Sequence, residues 1–146
     1  MSSSALATDP VALANRLRPA LLKLSRDLRR ESHALGITGG QASLLYAIKK
    51  AQGIGVRELA AQERMSAPAM SGYVDRLESA GFVRRSQSGD DRRRVGLSLT
   101  EAGERVLRSV KSRRTAWLAA RLRQLTPEQL DALDAALVPL ENLIDE

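Results

Sequence analysis

Between Ala80 and Thr100 the spacing of apolar residues changes from about 3.6 to 2 and then back again. This change constrains the fold more than any other feature, because helices and half-buried strands need those two different periods. Phe82-Val83-Arg84-Arg85 reads as one strand, and the alternating Val95-Gly96-Leu97-Ser98-Leu99 reads as its partner. Ser88-Gly89-Asp90-Asp91-Arg92-Arg93 joins them, which predicts a hairpin with a long basic tip. On either side the pattern is helical.

The helix starts are marked by capping chemistry. Asp9-Pro10 offers an N-cap with proline at the first helical position, followed by Leu13, Leu17, Leu21, Leu24 and Leu28 at helical spacing. Pro19 lies inside that pattern and predicts a kink or break, and Gly36 predicts the stop. Thr38 and Gln41 fit a capping box ahead of Leu44, Leu45 and Ile48, with Gly53 and Gly55 ending that helix. A short third helix covers Val56 to Glu63, with Leu59 and Ala60 inward. Arg64-Met65-Ser66 is a tight turn, and Ser66 caps a fourth helix whose Met70, Val74 and Leu77 share a face. Thr100 caps a long helix to about Arg123, roughly 35 Å in length. Thr126-Pro127-Glu128-Gln129 starts the last helix, which Pro139 is expected to bend.

The charge is unevenly spread. There are 23 basic and 17 acidic residues, and 19 of the basic ones are arginine. Residues 1–125 carry +12 and residues 126–146 carry −6. A basic body with an acidic end suggests a polyanionic partner, nucleic acid ahead of membrane. The chain has no cysteine and a single histidine, His33, which excludes disulfides, thiol redox chemistry and His- or Cys-built zinc sites. No nucleophile–base pair, carboxylate dyad or metal set stands out, so neither an enzyme nor a cofactor is expected. No apolar run reaches the 18 or so residues needed to span a bilayer. The first residues lack the basic and apolar regions of a secretory signal, and the expected location is the cytoplasm.

Helix, helix, tight turn, helix and basic hairpin is the order of a winged helix-turn-helix. The expected fold is therefore mainly α with a small β-hairpin wing. Residues 1–8 read as a tail, 37–100 as the DNA-binding lobe, and 9–36 with 101–146 as a helical dimerisation region. The fourth helix suits entry into the major groove N-terminus first. Its core face leaves Ser66, Ala67, Pro68, Ser71, Gly72 and Arg76 outward, and the small residues let backbone and bases approach closely. Arg92, Arg93 and Arg94 at the tip, with Arg84 and Arg85 before them, put five arginines in eleven residues. Such a cluster suits the narrow minor groove, with Asp91 close enough to Arg93 to hold the loop in shape. Leu13, Leu17, Trp117, Leu122, Leu130, Leu133, Leu137, Leu140 and Ile144 are too much apolar surface for one small lobe to hide, which predicts a homodimer on a two-fold symmetric duplex. Two alternatives are an architectural DNA protein with little sequence preference and a protein-interaction module.

The stretch from Thr38 to Gly103 closely resembles the MarR (multiple-antibiotic-resistance regulator) family of bacterial transcription factors. The resemblance rests on an ordered set: Thr38-x-x-Gln41, Glu58-Leu59-Ala60, Val74-Asp75-Arg76-Leu77-Glu78, Gly81-Phe82-Val83-x-Arg85, Asp90-Asp91-Arg92-Arg93 and Leu97-x-Leu99-Thr100-Glu101-x-Gly103. It implies a triangular homodimer with interlocked terminal helices and a winged helix at each outer corner, more often a repressor. Asp91 and Arg93 match the family's Asp-x-Arg wing motif, Arg92 its wing-tip base, and Arg76 a helix arginine that often contacts phosphate. Arg94 and Pro19 depart from the pattern, and the lack of cysteine excludes the peroxide-sensing branch. The resemblance also implies a small effector, often an aromatic acid, for which Arg16, His33 and Tyr46 are the candidate residues.

Overall fold

The computed structural model describes residues 7–88 and 91–144, and for residues 88 and 91–94 it describes the backbone alone. Among the described residues six α-helices and one hairpin follow in the order α1 (Pro10–Arg30), α2 (Gly39–Lys50), α3 (Val56–Gln62), α4 (Ala67–Ser79), β1 (Val83–Ser88), β2 (Asp91–Leu99), α5 (Glu101–Leu122) and α6 (Pro127–Asn142). A 3₁₀ segment, Glu31–Leu35, continues α1 and ends at Gly36 in the left-handed conformation.

Helix starts form where the capping chemistry places them. Thr38 Oγ1 accepts from the Gln41 amide at 3.0 Å, and Gln41 Oε1 accepts from the Thr38 amide at 2.9 Å. Thr126 and Gln129 repeat this reciprocal pair at the start of α6. Asp9, Ser66 and Thr100 cap α1, α4 and α5 in the same manner with their side-chain oxygens.

The core occupies the middle of the chain. Leu44, Leu45 and Ile48 of α2, Leu59 and Ala60 of α3, and Met70, Val74 and Leu77 of α4 are buried together with Val83, Leu97, Leu99 and Val110. Each fully buried leucine, valine or methionine contributes about 1.5–3 kcal/mol. The hairpin pairs Val83 with Leu99, Arg85 with Leu97 and Gln87 with Val95, and its register shifts between Gln87 and Ser88. It is also fastened to the loop after α2. Gly53 donates to the Leu97 carbonyl at 2.7 Å, and Leu97 donates back to the Ile54 carbonyl at 2.8 Å. Gly96 allows that approach, since a Cβ there would lie 2.8 Å from the Gly53 carbonyl oxygen.

Two expectations change. The hairpin ladder resumes at Asp91, so residues 91–93, expected in the loop, belong to β2. Backbone pairing continues past the last alternating apolar residue, because the ladder needs only amides and carbonyls. α1 runs unbroken through Pro19 and α6 through Pro139. Neither helix has a buried residue, so a carbonyl freed by the missing proline amide meets solvent instead of an apolar interior.

α1 joins the rest through its C-terminal end. Arg114 of α5 donates to the Leu28 carbonyl at 3.1 Å, and Arg113 donates to the Glu31 carbonyl at 3.2 Å. The Leu28 carbonyl already accepts the Glu31 amide, so Arg114 is its second donor, and both guanidinium groups offset the negative pole of the helix end. Elsewhere α1 and α6 carry large apolar side chains in the open, including Leu13, Leu21, Leu24, Leu133 and Leu137.

Candidate nucleic-acid interface

α4 is held from behind by Met70, Val74 and Leu77, each at most 1% exposed, so its opposite face points outward. Pro68, Gly72 and Arg76 are exposed on that face, and Ser66 is exposed at the helix start. Ala67 and Ser71 are half-buried on its flank. Ser66 Oγ accepts from the Ala69 amide at 3.2 Å, so one hydroxyl lone pair serves the cap while its proton stays available. Pro68 has no N–H and the Ala69 and Met70 amides are engaged by Ser66, so the helix start offers an anion the Ala67 amide and the positive pole of the helix.

Ala69 and Tyr73 also lie on this surface, though the sequence reading passed over both. With Pro68, Gly72 and Arg76 they line a shallow concavity of about 280 Å³. Arg76 stacks over the Tyr73 ring, its guanidinium carbon 5.8 Å from the centroid. The signal was present in the spacing, because Ala69, Tyr73 and Arg76 follow at i, i+4 and i+7 and share a flank.

The wing is tied to α4 at its base. Arg85 donates through Nη2 to Asp75 Oδ1, and its Nε lies 3.8 Å from a Glu78 carboxylate oxygen. Arg85 is thus half-buried and committed inward, unlike a freely projecting tip cation. Its register explains this: Arg85 shares a hairpin face with buried Val83, two residues before it. Arg92, Arg93 and Arg94 lie on β2, and their side chains, with that of Asp91, fall outside the described residues.

The three candidate effector residues are not brought together. Tyr46 lines a cleft of about 610 Å³ between α2 and α5, with Lys49, Arg108, Lys111 and Arg114. His33 lines a different concavity with Arg26, Arg29, Arg30, Gly39 and Gly40. Arg16 is exposed on α1 and lines neither. Arg114 Nη2 is buried without a hydrogen-bond partner among the described residues. Burial, and then the charge of Arg29, lower the Arg114 pKa from its ordinary value.

The expected dimer residues are all at least partly open in the single chain. Leu130, Leu133 and Leu137 are exposed on α6, as are Leu13 on α1 and Ile144 beyond α6. Leu17, Trp117, Leu122 and Leu140 are half-buried. Arg121 packs over the Trp117 ring at 3.7 Å from its centroid. Among the described residues, no group of acidic or histidine side chains is arranged to hold a metal ion, and no helix is long and apolar enough to cross a membrane.

Known proteins share this arrangement. The family model described as MarR family matches residues 37–95, which include α2, α3, α4 and most of the hairpin. An HTH-type transcriptional regulator of Mycobacterium tuberculosis is 31% identical over 134 residues, covering 92% of this chain and 94% of the relative. The HTH-type transcriptional repressor MdtR of Bacillus subtilis is 29% identical over 114 residues, 78% of this chain and 74% of the relative. A solved structure of a putative transcriptional regulator from Pseudomonas aeruginosa has a TM-score of 0.83 and 30% identity, covering 93% of this chain and 96% of that one. The fold is that of a winged helix, and the relatives are regulators of transcription, not enzymes. The chain belongs to the MarR family of DNA-binding, HTH-type transcriptional regulators.

Proposed function

We propose that the chain is a homodimeric, sequence-specific repressor that acts in the cytoplasm on a two-fold symmetric duplex operator. In this reading residues 37–100 bind DNA, while 9–36 and 101–146 dimerise. The observation that carries the reading is the outer face of α4, small and polar at its start and backed by three buried side chains. Ser66, Ala67, Pro68, Ser71 and Gly72 let α4 lie deep in a major groove, and Arg76 meets the adjacent phosphate. Arg92, Arg93 and Arg94 follow the backbone into the minor groove, with Asp91 fixing the shape of the wing.

Support for the dimer comes from α1 and α6, which have no buried residue despite their leucines. Covering those faces with a second copy gives an interface above about 2,000 Å², the size of an obligate one. The sign of regulation follows the likeness to MdtR, which is named a repressor. For an effector we assign a small acidic, aromatic ligand to the α2–α5 cleft. There Tyr46 supplies a ring, and Arg114 supplies a buried nitrogen without a partner.

Footprinting on the region upstream of the chain's own gene tests the operator. Two protected half-sites are expected, their centres about 10–10.5 base pairs apart or a small multiple of that. A single asymmetric half-site bound at full affinity overturns the symmetric dimer.

A further inference from the structure

The turn between α3 and α4 is built on a left-handed residue, and that residue is not glycine. Among the described residues Arg64 is the only non-glycine residue at positive φ, 55°. The hydrogen bonds define its place. Met65 donates to the Ala60 carbonyl at 2.8 Å, and Arg64 donates to the Ala61 carbonyl at 3.2 Å. With Glu63 as the C-cap of α3, these are the two bonds of a Schellman motif, and Arg64 stands at the position glycine normally takes. Glycine adopts that conformation without steric penalty, whereas a side chain with a Cβ is strained there.

Among the described residues nothing offsets that strain through the Arg64 side chain. It is exposed, and among the described residues it takes part in no hydrogen bond or ion pair. The motif itself uses only the backbone, and Met65 supplies the packing by lying against the core. Glycine at position 64 would leave all of this in place.

Its position relative to α4 gives the side chain a use. Arg64 lies two residues before Ser66, the N-cap of α4, so the two Cα atoms are within about 7 Å. In a helix-turn-helix the second helix enters the groove while the first crosses the sugar–phosphate backbone. The turn joining them therefore sits at the groove's edge, where an exposed guanidinium meets phosphate oxygens. We propose that Arg64 is a phosphate-contacting residue that sets the affinity of α4 for duplex DNA, and that the strained turn is retained for that contact. The inference rests on the reading of α4 as the DNA-reading helix, and adds a contact outside both α4 and the wing.

The test compares the wild-type chain with Arg64→Gly and Arg64→Lys. Each is titrated against a duplex of its own upstream region and a scrambled duplex at several salt concentrations, with thermal unfolding recorded in parallel. Arg64→Gly is expected to unfold at the same temperature or higher while binding both duplexes several-fold more weakly, with a salt slope smaller by about one. Arg64→Lys is expected to keep the slope and most of the affinity. Wild-type affinity and slope in Arg64→Gly overturn the inference, as does equal loss in both variants. If wild type itself binds neither duplex, the DNA-reading role of α4 fails first. If wild type binds and Arg64→Gly binds alike, this inference alone fails.

Discussion

Arg85 of β1 and Asp75 of α4 are bound to each other, which fixes the base of the wing against the helix that faces outward. The pair is only partly buried, so its worth to folding is no more than about 1 kcal/mol. Its worth to binding is expected to be larger, because in the proposed complex α4 and the wing meet one duplex together. Arg85→Met is expected to lower stability by less than about 1 kcal/mol and to weaken operator binding several-fold. Denaturant unfolding and a binding titration on the same sample check both halves of that statement. Unchanged affinity would show that α4 and the wing hold their orientation without the pair.

Replacing Arg92 and Arg93 together with alanine is expected to weaken binding to operator and scrambled duplex by similar factors. Contacts to phosphate and groove potential carry affinity more than sequence, and each lost phosphate contact lowers the salt slope by about one. Ser71→Ala is expected to differ, eroding discrimination at one position by about 1–3 kcal/mol. A loss confined to the operator in the double arginine variant would give the wing a role in reading sequence.

Gly103 tests the joint between the wing lobe and α5. A Cβ at this position would lie 2.2 Å from the Phe82 carbonyl oxygen, which is backbone and cannot rotate away. The same joint is closed by Thr100, whose amide donates to Phe82 at 3.0 Å and whose hydroxyl donates to Gly81. In an ordinary helix interior, alanine in place of glycine gains about 1 kcal/mol. Here the clash decides the sign, and Gly103→Ala is expected to destabilise by about 1–3 kcal/mol. A melting temperature equal to or above wild type would contradict the tight packing at this joint.

Charges on α6 test the dimer. Leu133 and Leu137 are 47% and 50% exposed in the single chain, so arginine at both positions leaves the lobe's core intact. Leu133→Arg with Leu137→Arg is expected to abolish the dimer in light scattering and operator binding with it. A dimer of unchanged mass and affinity would move the interface away from α6.

Local chemistry was legible in the sequence, and distant partners were not. The caps made by Thr38, Ser66, Thr100 and Thr126 reach only three residues along the chain, so they could be read directly. Met70, Val74 and Leu77 declared the core face of α4 by spacing alone. Arg85 resembles the tip arginines in the sequence, because its acceptor, Asp75, lies ten residues earlier in the chain. Tyr73 shares the outward flank of Ala69 and Arg76, where the pattern leads one to expect small and charged residues. Pro19 and Pro139 predict interruptions, a rule that weakens on helices with no buried side. Arg16, His33 and Tyr46 suit an effector by residue type, and the folded chain separates them.

In the proposed complex α4 reads sequence, while the arginines supply affinity that sequence does not alter. Titrating the wild-type chain with its own upstream duplex and with a scrambled duplex of equal length, at 50 and 200 mM salt, separates the two contributions. The expected result is at least about 10³-fold tighter binding to the upstream duplex, with both affinities falling as salt rises. Equal affinity for the two duplexes at both salt concentrations would contradict the claim and leave an architectural DNA protein in its place.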